Sequence, residues 1–365
     1  MGERTRTRIA AVSRAFAARR RPASQGAERE RILVAHNLLL GDTLMLTPLI
    51  AKLARTHPGA DVAMFAAPAF LPLYAKRPFG ARALAFRPAD RGSVDALWRE
   101  PPFDRAVVVG DNRYSWMAAA MGARHIVAHS GDRPFTKQWM VDETRPYASA
   151  PRAWGDMVSD LVDGEEPPPY ARGDWPAPGC APFELPRSPY AVLHVGASTP
   201  LKQWPAPRWR ALAEVLQADG LGVAWSAGRG EEALVAACDP EGRWPSYAGR
   251  LDLAQLWRLL AGAAVMVSPD TGVAHLARVA FTPGVTIFGP GSATLVGPGR
   301  FFRDVPWRAA HVDPFPCRDQ DVLFRRHVPW VQRCGRSSAE CPRPLCMEAV
   351  SLEAVLEAAT SLRRE

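Results

Sequence analysis

Residues 264–280 read AVMVSPDTGVAHLARVA. An apolar run of strand character ends by delivering a carboxylate, Asp270, and Thr271-Gly272 then opens a helix. Strand, tight turn and helix in that order form the unit from which parallel, doubly wound sheets are built.

The same alternation extends in both directions. RILVAH (31–36) is a short buried strand, and TLMLTPLIAKLARTH repeats Leu46, Leu49, Ile50 and Leu53 at helical spacing. DVAMFAA, RAVVVGD and HIVAHSG come next as strands, with SWMAAAMGA as a short helix closed at Gly122. Between 167 and 189 eight residues are proline, which removes backbone donors and excludes helix and central strand. A second series then begins: YAVLHVG, a helix from about Pro207 to Ala218, GVAWSAG, a helix from Glu231, the helix DLAQLWRLLAG, then the quoted stretch and VTIFGP. Ser351 to Leu362 reads as a last helix with Ser351 as N-cap. The expected organisation is a basic, disordered extension at 1–30, an α/β domain at 31–166, a proline-rich linker at 167–189, a second α/β domain at 190–348 and a terminal helix at 349–365. A ligand cleft is expected outside the carboxyl ends of the strands.

Composition narrows the function classes. A length of 365 residues and an apolar fraction of 47% suit two ordinary globular domains. No apolar run reaches the roughly 18 residues of a membrane span; Leu251–Val267 is interrupted by Asp252, Gln255 and Arg258. The first 31 residues lack the apolar segment of a secretory signal, so a cytoplasmic location is expected. They hold nine Arg against three Glu, which accounts for +6 of the net +8. Charge confined to a tail argues against nucleic-acid binding. It leaves two readings, a solvated tail or attraction to the anionic surface of the inner membrane.

Four stretches could carry chemistry. In SPDTGVAH (268–275), Thr271, Gly272 and the free N–H groups of a helix start suit an anion, with His275 within reach; ordinary capping by Asp270 and Thr271 is the other reading. In HVGASTPLKQWP (194–205), Ser198, Thr199 and Lys202 suit a diphosphate, or form a surface turn. In AGRGEEAL (227–234), Glu231 or Glu232 could accept from a ribose, or simply complement a helix dipole. In LLLGDTLMLTP (38–48), Asp42 could act as a general base on a hydroxyl, or serve as an N-cap. Cys317, Cys334, Cys341 and Cys346 have a C-x16-C-x6-C-x4-C spacing, of which only the last interval suits zinc; free thiols are the favoured reading.

Taken in order, these stretches resemble the ADP-heptose:lipopolysaccharide heptosyltransferases, glycosyltransferase family 9. GDNRYSWMAAAMGARHIVAHSG (110–131), FGP (288–290) and the cysteine-bearing stretch share the likeness, which runs from about Arg31 to the C-terminus. The resemblance implies the GT-B fold, two facing Rossmann-like domains with a cleft between them. It implies an inverting transfer of heptose from ADP-heptose to a lipopolysaccharide core acceptor, with no metal or other cofactor required. By the same resemblance Asp42 is the base, and Ser198, Thr199 and Lys202 grip the donor diphosphate. Glu231 meets the ribose, Leu251 underlies the adenine and Asp270 faces the transferred sugar. Thr271, Gly272 and His275 bind phosphate. The loop before Gly41-Asp42 departs from the family in carrying His36, Asn37 and Leu38-Leu39-Leu40. Alternatives are another nucleotide sugar or glycan acceptor, or a nucleotide-sugar 2-epimerase on the same fold.

Overall fold

The computed structural model describes residues 2–20 and 29–364. The chain divides into two compact units, Met1–Pro168 with Val322–Trp330, and Pro169–Asp321 with Val331–Glu365.

The first unit carries six strands: β1 (Arg31–Ala35), β2 (Asp61–Ala66), β3 (Arg82–Ala85), β4 (Arg105–Val108), β5 (His125–His129) and β6 (Glu143–Arg145). Every pairing is parallel and the order is β3-β2-β1-β4-β5-β6, the arrangement of dinucleotide-binding folds. Ile32, Leu33, Val34 and Ala35 are buried, as expected of a central strand covered on both faces. The second unit carries β7 (Tyr190–His194), β8 (Gly222–Ser226), β9 (Val265–Pro269), β10 (Gly284–Phe288) and β11 (Trp307–His311). They also pair in parallel, in the order β11-β10-β9-β7-β8. Each sheet therefore reverses its winding once, between β1 and β4 and between β7 and β9. At such a switch point adjacent connections leave on opposite faces, which opens a crevice at the carboxyl edge.

Three expectations need revision. Residues 3–19 form a helix, not a disordered tail; Ala11 and Ala15 are buried against the first unit's core while Arg6, Arg8, Arg14 and Arg19 are exposed. Small side chains at that spacing let the helix approach closely, and its charge hid this stripe. Residues 21–28 of the same expected segment lie outside those described. The proline-rich stretch is also more than a linker. Tyr170 and Trp175 are buried in the second unit, where the Tyr170 hydroxyl donates to the Val279 carbonyl and Trp175 packs on Trp257. Finally, the expected donor domain is interrupted. Val322–Trp330 returns to the first unit as a hairpin of β12 (Val322–Leu323) and β13 (Arg326–His327). The buried Arg326 holds it there, donating to Gly110 O at 2.6 Å, Asn112 Oδ1 at 2.7 Å and Ser130 O at 2.8 Å.

The helix Leu352–Arg364 belongs to the second unit and buries Val355, Ala359 and Leu362 in its core. Ser351 accepts from the Ala354 N–H at 3.2 Å, as an N-cap does. Among the described residues no helix is long and apolar enough to cross a membrane.

Candidate functional site

In the second unit the loops after β7, β8, β9 and β10 are joined to one another at the carboxyl edge of the sheet. Lys202, on the loop after β7, donates to the carboxylate of Asp270 at 2.8 Å and to its carbonyl at 2.9 Å. The two residues are 68 positions apart in sequence and flank the switch point between β7 and β9. An ammonium has three donors, so one remains for a ligand. Gly291, after β10, closes over the same carboxylate: a β-carbon there would lie 2.6 Å from Asp270 Oδ2.

Glu231 ties the next pair of loops together. Its carboxylate accepts from the Ala197 N–H at 3.0 Å and from the Gly228 N–H at 2.7 Å. Gly196 leaves it room, since a β-carbon on Gly196 would stand 2.2 Å from Glu231 Oε2. Glu232 is exposed and accepts from the Gly230 N–H at 3.0 Å. Gly249 donates to Ala227 O at 3.1 Å and passes close over Glu232. This places the half-buried Leu251 beside the carboxylate-bearing loop, just before a helix, Leu253–Ala261, fixed by the Asp252–Gln255 capping box.

The helix Gly272–Val279 starts at Thr271, whose side chain makes no capping bond. Its hydroxyl is buried and has no hydrogen-bond partner, and the same holds for Ser268. A buried hydroxyl without a partner carries a desolvation cost of about 1–3 kcal/mol, and a ligand at the helix start would relieve it. Capping does not explain Thr271. Ser198 is exposed, and Thr199 caps the short turn Pro200–Lys202 by accepting from Leu201 N.

His275, expected within reach of an anion, lies in the first turn of this helix. It is buried, and burial together with the nearby Arg278 and Lys202 charges holds its imidazole well below the ordinary histidine range. It is therefore neutral at physiological pH and can supply a hydrogen bond but no charge. The cation that sequence reasoning missed is Arg278, one turn further along the helix. It is 4% exposed and donates at 3.1 Å to the carbonyls of Val296 and Gly297. Burial lowers its guanidinium to about 10, still charged at neutral pH. A charged residue on the buried face of GVAHLARVA was the available signal.

In the first unit Asp42 lies in the opening turn of the helix Leu40–Leu44, half-buried. Leu39 is the N-cap residue, so capping does not account for Asp42. His36 is buried, accepts from the Leu38 N–H at 3.3 Å, and is held down to about 3 by burial. Tyr147 feels the Asp42 charge, which helps to raise its phenol after burial, and stacks on His129 with centroids 3.9 Å apart. Phe324 of the hairpin packs on Trp154 and lies close to Gly110, as does Leu38. Leu39 is 74% exposed.

The six cysteines are free thiols. Cys317, Cys334, Cys341 and Cys346 line one cavity of about 410 Å³ in the second unit. Among the described residues no group of three or more His, Cys, Asp or Glu is arranged to hold a metal ion, so the zinc reading gains no support.

With this geometry in place, comparison with known proteins decides the family. The family model described as glycosyltransferase family 9 (heptosyltransferase) matches residues 105–309. The chain belongs to that family. It is therefore a glycosyltransferase, and the matched span runs from β4 into β11, containing the residues described above from Ser198 to Gly291 but not Asp42. The chain is 28% identical over 297 residues to lipopolysaccharide heptosyltransferase 1 of Pseudomonas aeruginosa, covering 73% of this chain and 81% of that protein. Among solved structures it is similar to the E. coli ADP-heptose lipopolysaccharide heptosyltransferase II, with TM-score 0.69, 18% identity, and 92% and 98% of the two chains covered. It also resembles an E. coli heptosyltransferase solved with ADP, with TM-score 0.64, 17% identity, and 76% and 92% covered. At those identities the structural likeness establishes the GT-B fold class.

Proposed function

We propose that this family 9 transferase moves a heptose from ADP-heptose to a lipopolysaccharide core acceptor with inversion at the anomeric carbon. The observation that carries the reading is the second unit's switch point, where Lys202, Asp270 and the unpartnered Thr271 hydroxyl surround a helix start. An anion belongs there: the helix contributes free N–H groups and the positive end of its dipole. The sugar identity rests on the relatives, whose names specify heptosyl transfer and, for one structure, bound ADP.

Each residue then has a physical task. The ADP diphosphate sits against Lys202, Thr271 and the N–H groups of Gly272 and its neighbours, with Ser198 and Thr199 on the adjoining turn. Glu231 accepts from the ribose with the lone pairs its backbone partners leave. Leu251 supplies apolar surface to the adenine. Asp42 takes the proton of the acceptor hydroxyl as that oxygen attacks the anomeric carbon, and the bond to ADP breaks on the opposite face. Charge grows on the departing diphosphate during this step, so Lys202 and the helix start stabilise the transition state more than the ground state. In this reading those groups carry the leaving-group charge without a metal. The acceptor is a glycolipid at a membrane surface.

The test is ADP release from ADP-heptose, with and without truncated lipopolysaccharide. Release that requires the acceptor and disappears in Asp42→Ala supports the proposal. Acceptor-independent release, or release unchanged in Asp42→Ala, would remove Asp42 from its role. Failure to bind ADP-heptose while another nucleotide sugar binds would reassign the donor.

A further inference from the structure

The helix Glu3–Arg19 does more than close the first unit's core. Its inner stripe, Ala11 and Ala15, is buried, and contacts near both ends hold it in place. Thr7 donates to Pro88 O at 3.2 Å. Arg19 donates to Met140 O at 2.8 Å and pairs with Asp142 at 2.8 Å. The opposite stripe holds Arg6, Ile9, Phe16 and, at the cap, Arg20, all exposed.

This stripe continues into the neighbouring elements as a row of aromatic rings. Phe16 meets Trp116 edge-on at 5.6 Å, and Trp116 lies against Trp139 at 6.2 Å. Trp139 is 57% exposed, and Phe135, at the start of the same short turn Phe135–Gln138, is 64% exposed. Of the eight large apolar side chains exposed among the described residues, four belong here: Ile9, Phe16, Phe135 and Trp139. A clustered apolar face of this kind marks an interaction surface.

Its chemistry selects the partner. Arg6, which also pairs with Glu3 at 3.1 Å, and Arg20 are exposed on this stripe, and Arg133 is exposed beside Phe135. Aromatic rings interleaved with guanidinium groups suit the headgroup zone of a bilayer, where the rings enter the interface and the cations meet phosphate. A second copy of the same face would set these arginines against one another. We propose that this face docks on the surface of a bilayer containing anionic phospholipids and holds the enzyme beside a lipid-borne acceptor. Its purpose rests on the glycolipid reading above; its binding does not.

The full-length protein, freed of nucleotide, is sedimented with vesicles of phosphatidylethanolamine and phosphatidylglycerol in equal parts, and with phosphatidylcholine vesicles. Binding to the anionic vesicles is expected to be at least about tenfold tighter and to weaken with salt. Phe135→Ser with Trp139→Ser should weaken it about tenfold, and Arg6→Glu with Arg20→Glu by about fivefold for each position. Circular dichroism should stay unchanged in both. Equal binding to both vesicle types, no binding to either, or variants that bind as wild type would overturn the proposal. A wild-type dimer in light scattering that the Phe135/Trp139 variant dissolves, without vesicle binding, would assign the face to a second copy. ADP release with a lipid-free acceptor separates this inference from the proposed function. Release without vesicle binding sinks only the docking surface, and vesicle binding without release sinks only the heptosyl-transfer reading.

Discussion

The two switch points share a topology and differ in chemistry. At the second, between β7 and β9, the side chains are charged and tied to backbone groups: Lys202 to Asp270, and Glu231 to Ala197 and Gly228. At the first, between β1 and β4, Asp42 lies in the opening turn of a short helix, half-buried, and its charge adds to the burial that raises the Tyr147 phenol. A site that must hold a diphosphate needs fixed donors oriented in advance. A site that must accept a proton needs a carboxylate within reach of the hydroxyl that gives it up. One architecture can serve both tasks because its crevice comes from the winding of the sheet, while its chemistry comes from the loops.

Removing the charge on each side puts this contrast under the heaviest strain. Asp42→Asn keeps the shape and should lower kcat by about 10²–10⁴-fold, with donor KM little changed. Lys202→Met should lower kcat/KM by about 10²–10³-fold, because the developing charge loses its ammonium and Asp270 loses its partner. If Lys202→Met left kcat/KM intact, the second switch point would not be the donor site.

Steric intrusion is expected to do less. Gly196→Ala would push a methyl into Glu231, and Gly291→Ala would push one into Asp270. Each should raise donor KM by about tenfold and leave binding of the acceptor alone unchanged, consistent with displacements of well under 1 Å. Isothermal titration with ADP would show the loss directly for Gly196→Ala. A similar loss of ADP binding when Glu231 is shortened to Asp would confirm that the carboxylate is the affected group.

The smallest effect concerns stability. The folded-state pKa of His36 is about 3, below the ordinary 6.5, so folding favours its neutral form. The stabilisation is complete above about pH 6.5 and is lost as pH falls toward the folded value. By about pH 5, His36 alone should forfeit about 2 kcal/mol. Burial acts with the same sign at His129, His194 and His275. Urea midpoints measured at about pH 7.5 and about pH 5 should show this loss, and His36→Asn should shrink it.

Much of this was legible in the sequence because strands and helices announce themselves locally. Asp270, Thr271, Gly272, Lys202 and Glu231 stand out in the sequence because each lies in the turn just after a strand, and the structure brings their loops together in one unit. Arg278 was overlooked because a basic residue in a helix is ordinarily a solvated one; only packing shows that its guanidinium is inside. The N-terminal segment was misjudged for the related reason that nine arginines outweigh two alanines in any local reading. Whether Ala11 and Ala15 bury depends on a surface more than eighty residues away.

The sequence by itself determined two α/β units, their strands, and the loops from which chemistry could be drawn, since period and turn residues act over a few positions. Tertiary structure decided the strand order that sets the two switch points. It decided the Lys202–Asp270 pair and the return of Arg326 to Gly110, 216 residues earlier. Those choices belong to long-range packing, where the pairing of distant segments depends on which faces can be buried together.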